Sequence, residues 1–215
     1  YPFILAGIFF ISRLAGINEL DLIIVFNIVL TALASCFLFL IAKEIFNKRI
    51  ALIAVFLWMS YPFNLWFVKN PHTEVPFIFL FFLGIYLYIL TLKRRNLKLA
   101  FWGGFFLGLA SFVRLIGLFL PFILALLIPF FLGEKAAGKR KILLAAVLLA
   151  GSFLVILPWS AYLISQVGIF AFSPATGPGG ILYGYTVLIA PMEDESDRAV
   201  FPDDIRALIE KMKVK

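Results

Sequence analysis

The stretch TEVPFIFLFFLGIYLYILTLKRR, residues 73–95, places a long apolar run between one acidic residue and a basic cluster. Residues 75–92 carry no charge, and a helix needs roughly 17 to 25 mostly apolar residues to cross a bilayer. The whole chain of 215 residues is also strongly apolar: 63% of its residues are hydrophobic, 14% are charged, and the mean hydropathy is +1.05. A soluble domain would not normally reach these values. The sequence therefore predicts an all-α, polytopic membrane bundle.

Charged residues divide the rest of the chain into segments of the same kind. We predict about six transmembrane helices, at 22–42, 50–68, 75–92, 99–115, 117–132 and 142–164. The fourth and fifth are short, which predicts a tight hairpin. Residues 1–17 are apolar but barely long enough to cross. We therefore expect an N-terminal helix that lies in the outer interface, with a crossing as the alternative.

The basic residues before the C-terminal tail are concentrated in three turns between predicted spans. These turns carry Lys43/Lys48/Arg49, Lys93/Arg94/Arg95/Lys98 and Lys135/Lys139/Arg140/Lys141. Because cytoplasmic loops carry an excess of Lys and Arg, the three turns are predicted to be cytoplasmic. The loop 69–74, the turn near Arg114 and the chain after about residue 165 then lie outside. We expect a transmembrane core at 1–164 and an outer-face loop and tail at 165–215.

Composition also limits the classes of partner and site. The net charge of +7 is spread over turns instead of forming one stripe, so no nucleic-acid partner is expected. The single cysteine, Cys36, lies in an apolar run and excludes an intrachain disulfide. The single histidine, His72, provides too few ligands for a structural zinc site. The chain begins with Tyr1 instead of Met, so we expect a fragment of a longer protein.

Two charged residues at predicted outer ends of spans are the main site candidates. Glu74 begins a helix, where it is either a helix-terminal anion, with Thr73 or Asn70 as cap, or a functional carboxylate. Arg114 either snorkels to lipid headgroups or binds a ligand. His72 is either a polar loop residue or a contact to a phosphate or sugar.

Three glycines in FWGGFFLG, Gly103, Gly104 and Gly108, have a spacing that suggests a nucleotide site. They lie within an apolar helix and lack the preceding strand that such a site needs. Close packing between helices is the interpretation that the sequence favours.

The order of several short motifs resembles a known family. They are YPFILAGIFF, IAKEIFNKRIALIAVFLW, a TE pair opening the next span, GGFFLGLASFVRLIGLFL, ILPWSAYLISQVGIFAFSP and GGILYG. Together, over about residues 1–190, they resemble the membrane-embedded C-type glycosyltransferases, in the protein O-mannosyltransferase and aminoarabinose-transferase branch. The TE and RLIG pieces are also similar to the mannosyltransferases of glycolipid-anchor assembly.

The resemblance implies transfer of a sugar from a polyprenyl-phosphate donor to a hydroxyl acceptor on the outer face. Glu74 matches the family's second-loop acid, and Arg114 matches an arginine near the lipid phosphate. His72 and Lys69 are secondary candidates for substrate binding, and a divalent cation held by Glu74 is a further option. The family's principal catalytic carboxylate is expected upstream of Tyr1.

The chain departs from the family pattern after Pro158-Trp159. The family often has Arg-Asn there, whereas Ser160, Ala161 and Tyr162 follow in this sequence.

The resemblance therefore favours a glycosyltransferase in a multi-pass cell membrane, the plasma membrane of a prokaryote or the ER membrane of a eukaryote. The fragment alone is expected to be inactive. A transporter or lipid flippase is the alternative, although no internal repeat is found and charges before the tail cluster at span ends. An inert membrane scaffold subunit would need neither Glu74 nor Arg114.

The predicted orientation can be tested by cysteine labelling in sealed membranes. A cysteine introduced at Asn96 should react only with a reagent on the cytoplasmic side, whereas one at His72 or Thr176 should react from outside. Labelling of position 96 from outside would show that the orientation is inverted.

Overall fold

The computed structural model describes residues 2–133 and 137–167, and every regular element within them is helical. The helices are α1 Pro2–Ala15, α2 Glu19–Ile45, α3 Lys48–Met59, α4 Pro62–Lys69, α5 Glu74–Arg94, α6 Leu97–Val113, the 3-10 helix Leu115–Gly117, α7 Leu120–Leu132 and α8 Gly138–Val167. The all-α fold is confirmed. Lys135, Thr176 and almost all of the predicted tail at 165–215 lie outside the described residues. The boundary near residue 164 therefore stays a prediction.

All six predicted spans coincide with helices, which differ in length. Within the described residues, α2, α5 and most of α8 are long and apolar enough to cross a membrane. The bent pair of α3 and α4 makes a fourth candidate if it counts as one span. By contrast, α6 and α7 are apolar but have only 17 and 13 residues. Length and composition thus support a membrane bundle that combines long helices with shorter ones.

The predicted span 50–68 is broken instead of continuous. Between α3 and α4 the axis bends by 58° at Ser60 and Tyr61. The cause is Pro62, which has no N–H to donate to the carbonyl of Trp58 four residues earlier. The Asn64 side-chain amide and the Tyr61 N–H donate to that carbonyl instead. The break therefore leaves the Trp58 carbonyl hydrogen-bonded, as an apolar environment requires.

Large apolar side chains cover much of the exposed surface of the described helices. Phe56, Leu126 and Phe130 are 70%, 70% and 75% exposed, respectively. Soluble monomers rarely leave so many large apolar groups in contact with water. These faces are suited to lipid, which agrees with the composition of the chain.

Helix α6 packs closely against two neighbours through its glycines. A Cβ at Gly104 would overlap the backbone of Leu148 on α8, and Gly103 lies against Tyr88 on α5. The Ser152 hydroxyl of α8 donates to the Gly104 carbonyl over 2.9 Å. The predicted packing role of these glycines is confirmed.

Two polar contacts join all three basic turns at one end of the bundle. Lys93 Nζ lies 2.6 Å from Glu44 Oε2 and so connects the ends of α5 and α2. Arg140 Nη2 donates to the Arg95 carbonyl over 2.6 Å, which connects the start of α8 to the turn after α5. Since α5 has 21 residues and rises 1.5 Å per residue, its first residue, Glu74, lies about 30 Å from this end.

The close packing of α6 predicts that Gly104→Ala destabilises the protein. The added methyl would press on the Leu148 backbone, and overpacking of this kind costs about 1 to 3 kcal/mol. Gly7→Ala is the matched control because a Cβ there meets nothing within 4 Å. Thermal unfolding of the full-length protein in detergent should show a lower midpoint for Gly104→Ala alone. Equal midpoints would contradict the packing.

Candidate active site

The start of α5 and the end of α6 bring together the two main candidates from the sequence. Arg114 Nη1 lies 2.5 Å from Glu74 Oε1, an ion pair between residues 40 positions apart. The structure therefore places both residues in one site. Their roles in catalysis and binding stay predictions.

Arg114 reaches Glu74 because the chain leaves the helix at this residue. Its backbone is extended, with φ −143° and ψ 128°, while its N–H still donates to the Ala110 carbonyl over 2.9 Å. The following 3-10 turn ends at Gly117, whose N–H donates to the Arg114 carbonyl. A Cβ at Gly117 would lie 3.2 Å from the Phe77 ring of α5. The small residue thus allows the turn to pack near the first turn of α5.

The ion pair is partly open to its surroundings. The Arg114 side chain is 41% exposed and that of Glu74 is 24% exposed. Glu74 also accepts a hydrogen bond from the Thr73 hydroxyl over 3.3 Å through its second oxygen. Among the described residues the guanidinium of Arg114 hydrogen-bonds only to Glu74. Because a guanidinium has five N–H donors, it can bind a second anion without releasing the first.

The expected side-chain caps of α5 are absent from this site. Thr73 makes no side-chain hydrogen bond to the backbone of α5. The Asn70 amide instead donates to the Trp66 carbonyl of α4 over 2.8 Å. The carboxylate of Glu74 therefore lies at the N-terminus of α5 with Arg114 as its charged partner.

Asn27, which the sequence interpretation missed, holds the loop before Glu74. It lies on α2, is 1% exposed, and donates through Nδ2 to the carbonyls of Val68 and Asn70, each over 3.1 Å. Both carbonyls lie at the end of α4, where helix carbonyls lack intrahelical partners. The Asn70 carbonyl also accepts from the His72 N–H over 2.8 Å. The available signal was a single amide within the apolar run 22–42, because polar groups inside a membrane span usually have a specific partner.

His72 and Lys69 lie on the same loop but outside the ion pair. The His72 ring packs against Trp66, with centroids 4.5 Å apart and planes at 33°, and meets Phe67 edge-on at 5.8 Å. Lys69 is exposed at the end of α4 and forms no ion pair with any described residue. The His72 ring thus packs on α4, and among the described residues Lys69 forms no ion pair with Glu74. Their roles in substrate binding stay predictions.

Metal ligands are not clustered in the part of the chain that the structure describes. No group of three or more His, Cys, Asp or Glu side chains there could hold a metal ion. Glu74 alone, already paired with Arg114, does not provide such a site. The divalent cation considered from the sequence stays a prediction.

Comparison with known proteins identifies the family. A family model described as dolichyl-phosphate-mannose-protein mannosyltransferase matches residues 2–164, well over half of the chain. The chain belongs to this family. It is therefore a membrane glycosyltransferase of the mannosyltransferase type, and the resemblance seen in the sequence is confirmed. The match includes both Glu74 and Arg114. No curated protein and no solved structure matches the chain.

The buried amide of Asn27 predicts a measurable loss of stability in Asn27→Leu. The substitution would leave the Val68 and Asn70 carbonyls without this donor, at a cost of about 1 to 3 kcal/mol in the free energy of unfolding. Ser35→Ala is the control on the same helix, because the Ser35 hydroxyl bonds to its own helix at the Thr31 carbonyl and, outside that helix, meets only the weak acceptor Met59 Sδ among the described residues. Denaturant unfolding in detergent should give a lower unfolding midpoint for Asn27→Leu than for Ser35→Ala. A midpoint for Asn27→Leu equal to that of Ser35→Ala would contradict the role of Asn27.

Proposed function

We propose that the protein transfers a sugar from a polyprenyl-phosphate donor to a hydroxyl acceptor, on a protein or on a lipid or glycan. Transfer takes place at the outer face of a multi-pass cell membrane, the plasma membrane in a prokaryote or the ER membrane in a eukaryote. One observation carries the proposal: Glu74 and Arg114 meet at the end of the bundle opposite the basic turns. The positive-inside rule puts that end outside.

Arg114 is assigned to the donor phosphate. When the sugar leaves, negative charge grows on the phosphate, and a fixed cation stabilises that charge most where water is limited. The planar guanidinium can bind phosphate oxygens through two parallel hydrogen bonds. Its ion pair with Glu74 holds the side chain at this end of the bundle before the donor binds.

Glu74 is assigned to the acceptor. One of its oxygens accepts from Arg114, and the other accepts a long hydrogen bond, over 3.3 Å, from the Thr73 hydroxyl. The second oxygen can therefore orient an acceptor hydroxyl or assist in removing its proton. By the resemblance to the family, Glu74 supports another carboxylate that acts as the principal base. The two assignments place phosphate and acceptor beside the same ion pair.

The apolar outer surface is suited to the rest of the donor. A polyprenyl tail is as apolar as lipid and would remain in the bilayer along exposed side chains such as Phe119 and Ile116, which are 67% and 77% exposed. Both follow Arg114 within five residues. A donor anchored there would present its phosphate to Arg114.

A transporter or lipid flippase is the second candidate because one predicted span is broken. Broken helices line substrate sites in many transporters, often with ionisable residues near the membrane midplane. The break at Ser60 and Tyr61 has no such residue: the charges of this span are Lys48, Arg49 and Lys69, at its ends. Family membership and the position of the ion pair both favour the enzyme.

The proposed role of Glu74 predicts a deep loss of activity in Glu74→Gln of the full-length protein. Gln keeps the size and hydrogen bonding but cannot accept a proton as a carboxylate does. Transfer from a polyprenyl-phosphate sugar in membranes should fall roughly 10² to 10⁴-fold, with near-normal expression. Loss of a charge at a helix N-terminus costs about 0.3 to 1 kcal/mol, and the Gln amide oxygen can still accept a hydrogen bond from Arg114, so Arg114 keeps a partner.

Glu19→Gln is the matched control, because Glu19 also lies in the first turn of a helix and pairs only loosely with Arg13, at 3.9 Å. It loses the same helix-terminal charge and should transfer sugar at close to the parental rate. If Glu74→Gln also transfers at the parental rate, Glu74 is a structural anion and the site assignment is wrong.

A further inference from the structure

The three joined turns form a strongly charged surface that the glycosyltransferase function does not use. We call it the basic end; its described residues are Lys43, Lys48, Arg49, Lys93, Arg94, Arg95, Lys98, Lys139, Arg140 and Lys141. The described part of these turns contains one acidic residue, Glu44. The described part of this surface therefore combines ten cations with one carboxylate.

Among the described residues, two of the ten cations have side-chain contacts that join parts of the protein. Lys93 bonds to both the carboxylate and the carbonyl of Glu44, and Arg140 bonds to the Arg95 carbonyl. None of the other eight forms an ion pair with a described carboxylate. Most of them, including Arg49 and Arg94, are exposed. A fixed group of cations without internal counterions will attract external anions.

Exposed apolar side chains lie among these cations. Ile45 and Phe46 follow Lys43 and are 56% and 63% exposed, while Ile142 follows Lys141 and is 70% exposed. Side chains of this kind contact lipid tails, and the neighbouring cations then lie at headgroup level. A soluble polyanion could use the charges but not the apolar groups. The combination favours an anionic phospholipid as the partner.

We propose that the basic end binds anionic phospholipid headgroups at the membrane surface. The Arg residues provide planar donor pairs for lipid phosphate, and Lys43, Lys48, Lys98 and Lys139 provide diffuse positive charge. The lipid neutralises three turns whose cations otherwise repel each other. This inference requires only that the protein lies in a membrane, and it is independent of the proposed catalytic site.

The test measures association of labelled lipids with the full-length protein in phosphatidylcholine nanodiscs. Trace spin-labelled phosphatidylglycerol should associate more strongly than spin-labelled phosphatidylcholine, and about 0.5 M salt should weaken the preference. Each exposed cation removed should lower the preference about fivefold. The double variant Arg49→Gln/Arg94→Gln should therefore lower the preference about 25-fold, with phosphatidylcholine association unchanged.

The control is Arg13→Gln, which removes an exposed arginine, 81% accessible, beside the start of α2. Since Glu44 at the basic end lies near the other end of that helix, this variant should keep the wild-type lipid preference. An unchanged preference in the double variant, or no preference in the wild type, would overturn the proposal.

Inorganic phosphate should displace the labelled lipid no better than chloride of equal ionic strength. Stronger displacement by phosphate would show that the surface recognises a free ion, which also overturns a lipid site.

Discussion

The ion pair between Arg114 and Glu74 fixes the geometry on which the site depends. It joins the first residue of α5 to the residue at which α6 ends, over 2.5 Å between Nη1 and Oε1. An arginine and a carboxylate at the edge of an apolar bundle each lose hydration, and each would be costly without a partner. Meeting one another removes that cost and leaves unused donors on Arg114. In the proposed function, the same contact holds Arg114 where it would bind a phosphate beside the Glu74 carboxylate.

The distribution of charge gives the bundle two different ends. The basic end has cations from three turns joined by contacts of Lys93 and Arg140, whereas the opposite end carries the ion pair between Arg114 and Glu74. At the Glu74 end, the buried Asn27 amide holds the loop before Glu74 by donating to the Val68 and Asn70 carbonyls. The apolar surface between the two ends suits lipid and a polyprenyl tail. The proposed transfer would use this arrangement, because a polyprenyl-phosphate donor would be anchored in lipid while its sugar reacts at the membrane surface.

Hydropathy predicts the helices well because a membrane helix is defined mainly by length and apolar composition. Hydropathy does not detect the break at Ser60 and Tyr61, because the summed hydropathy of the span scarcely depends on Pro62. Pro62 itself was a signal for a helix break. The candidates Glu74 and Arg114 could be selected as charges at span ends. Their contact could not be predicted, because it depends on how α5 and α6 are rotated and on the extended backbone at Arg114. Asn27 was missed because one amide scarcely changes the hydropathy of its span.

The central claim is that Glu74 and Arg114 act as one unit in sugar transfer. A double-mutant cycle with Glu74→Gln, Arg114→Gln and the combined variant measures this directly, as transfer rates of the full-length protein in membranes supplied with a polyprenyl-phosphate sugar. Residues that act together are strongly non-additive, so the combined variant should be about as active as the weaker single variant. Losses that multiply in the combined variant would show that the two residues act independently, and would contradict the account.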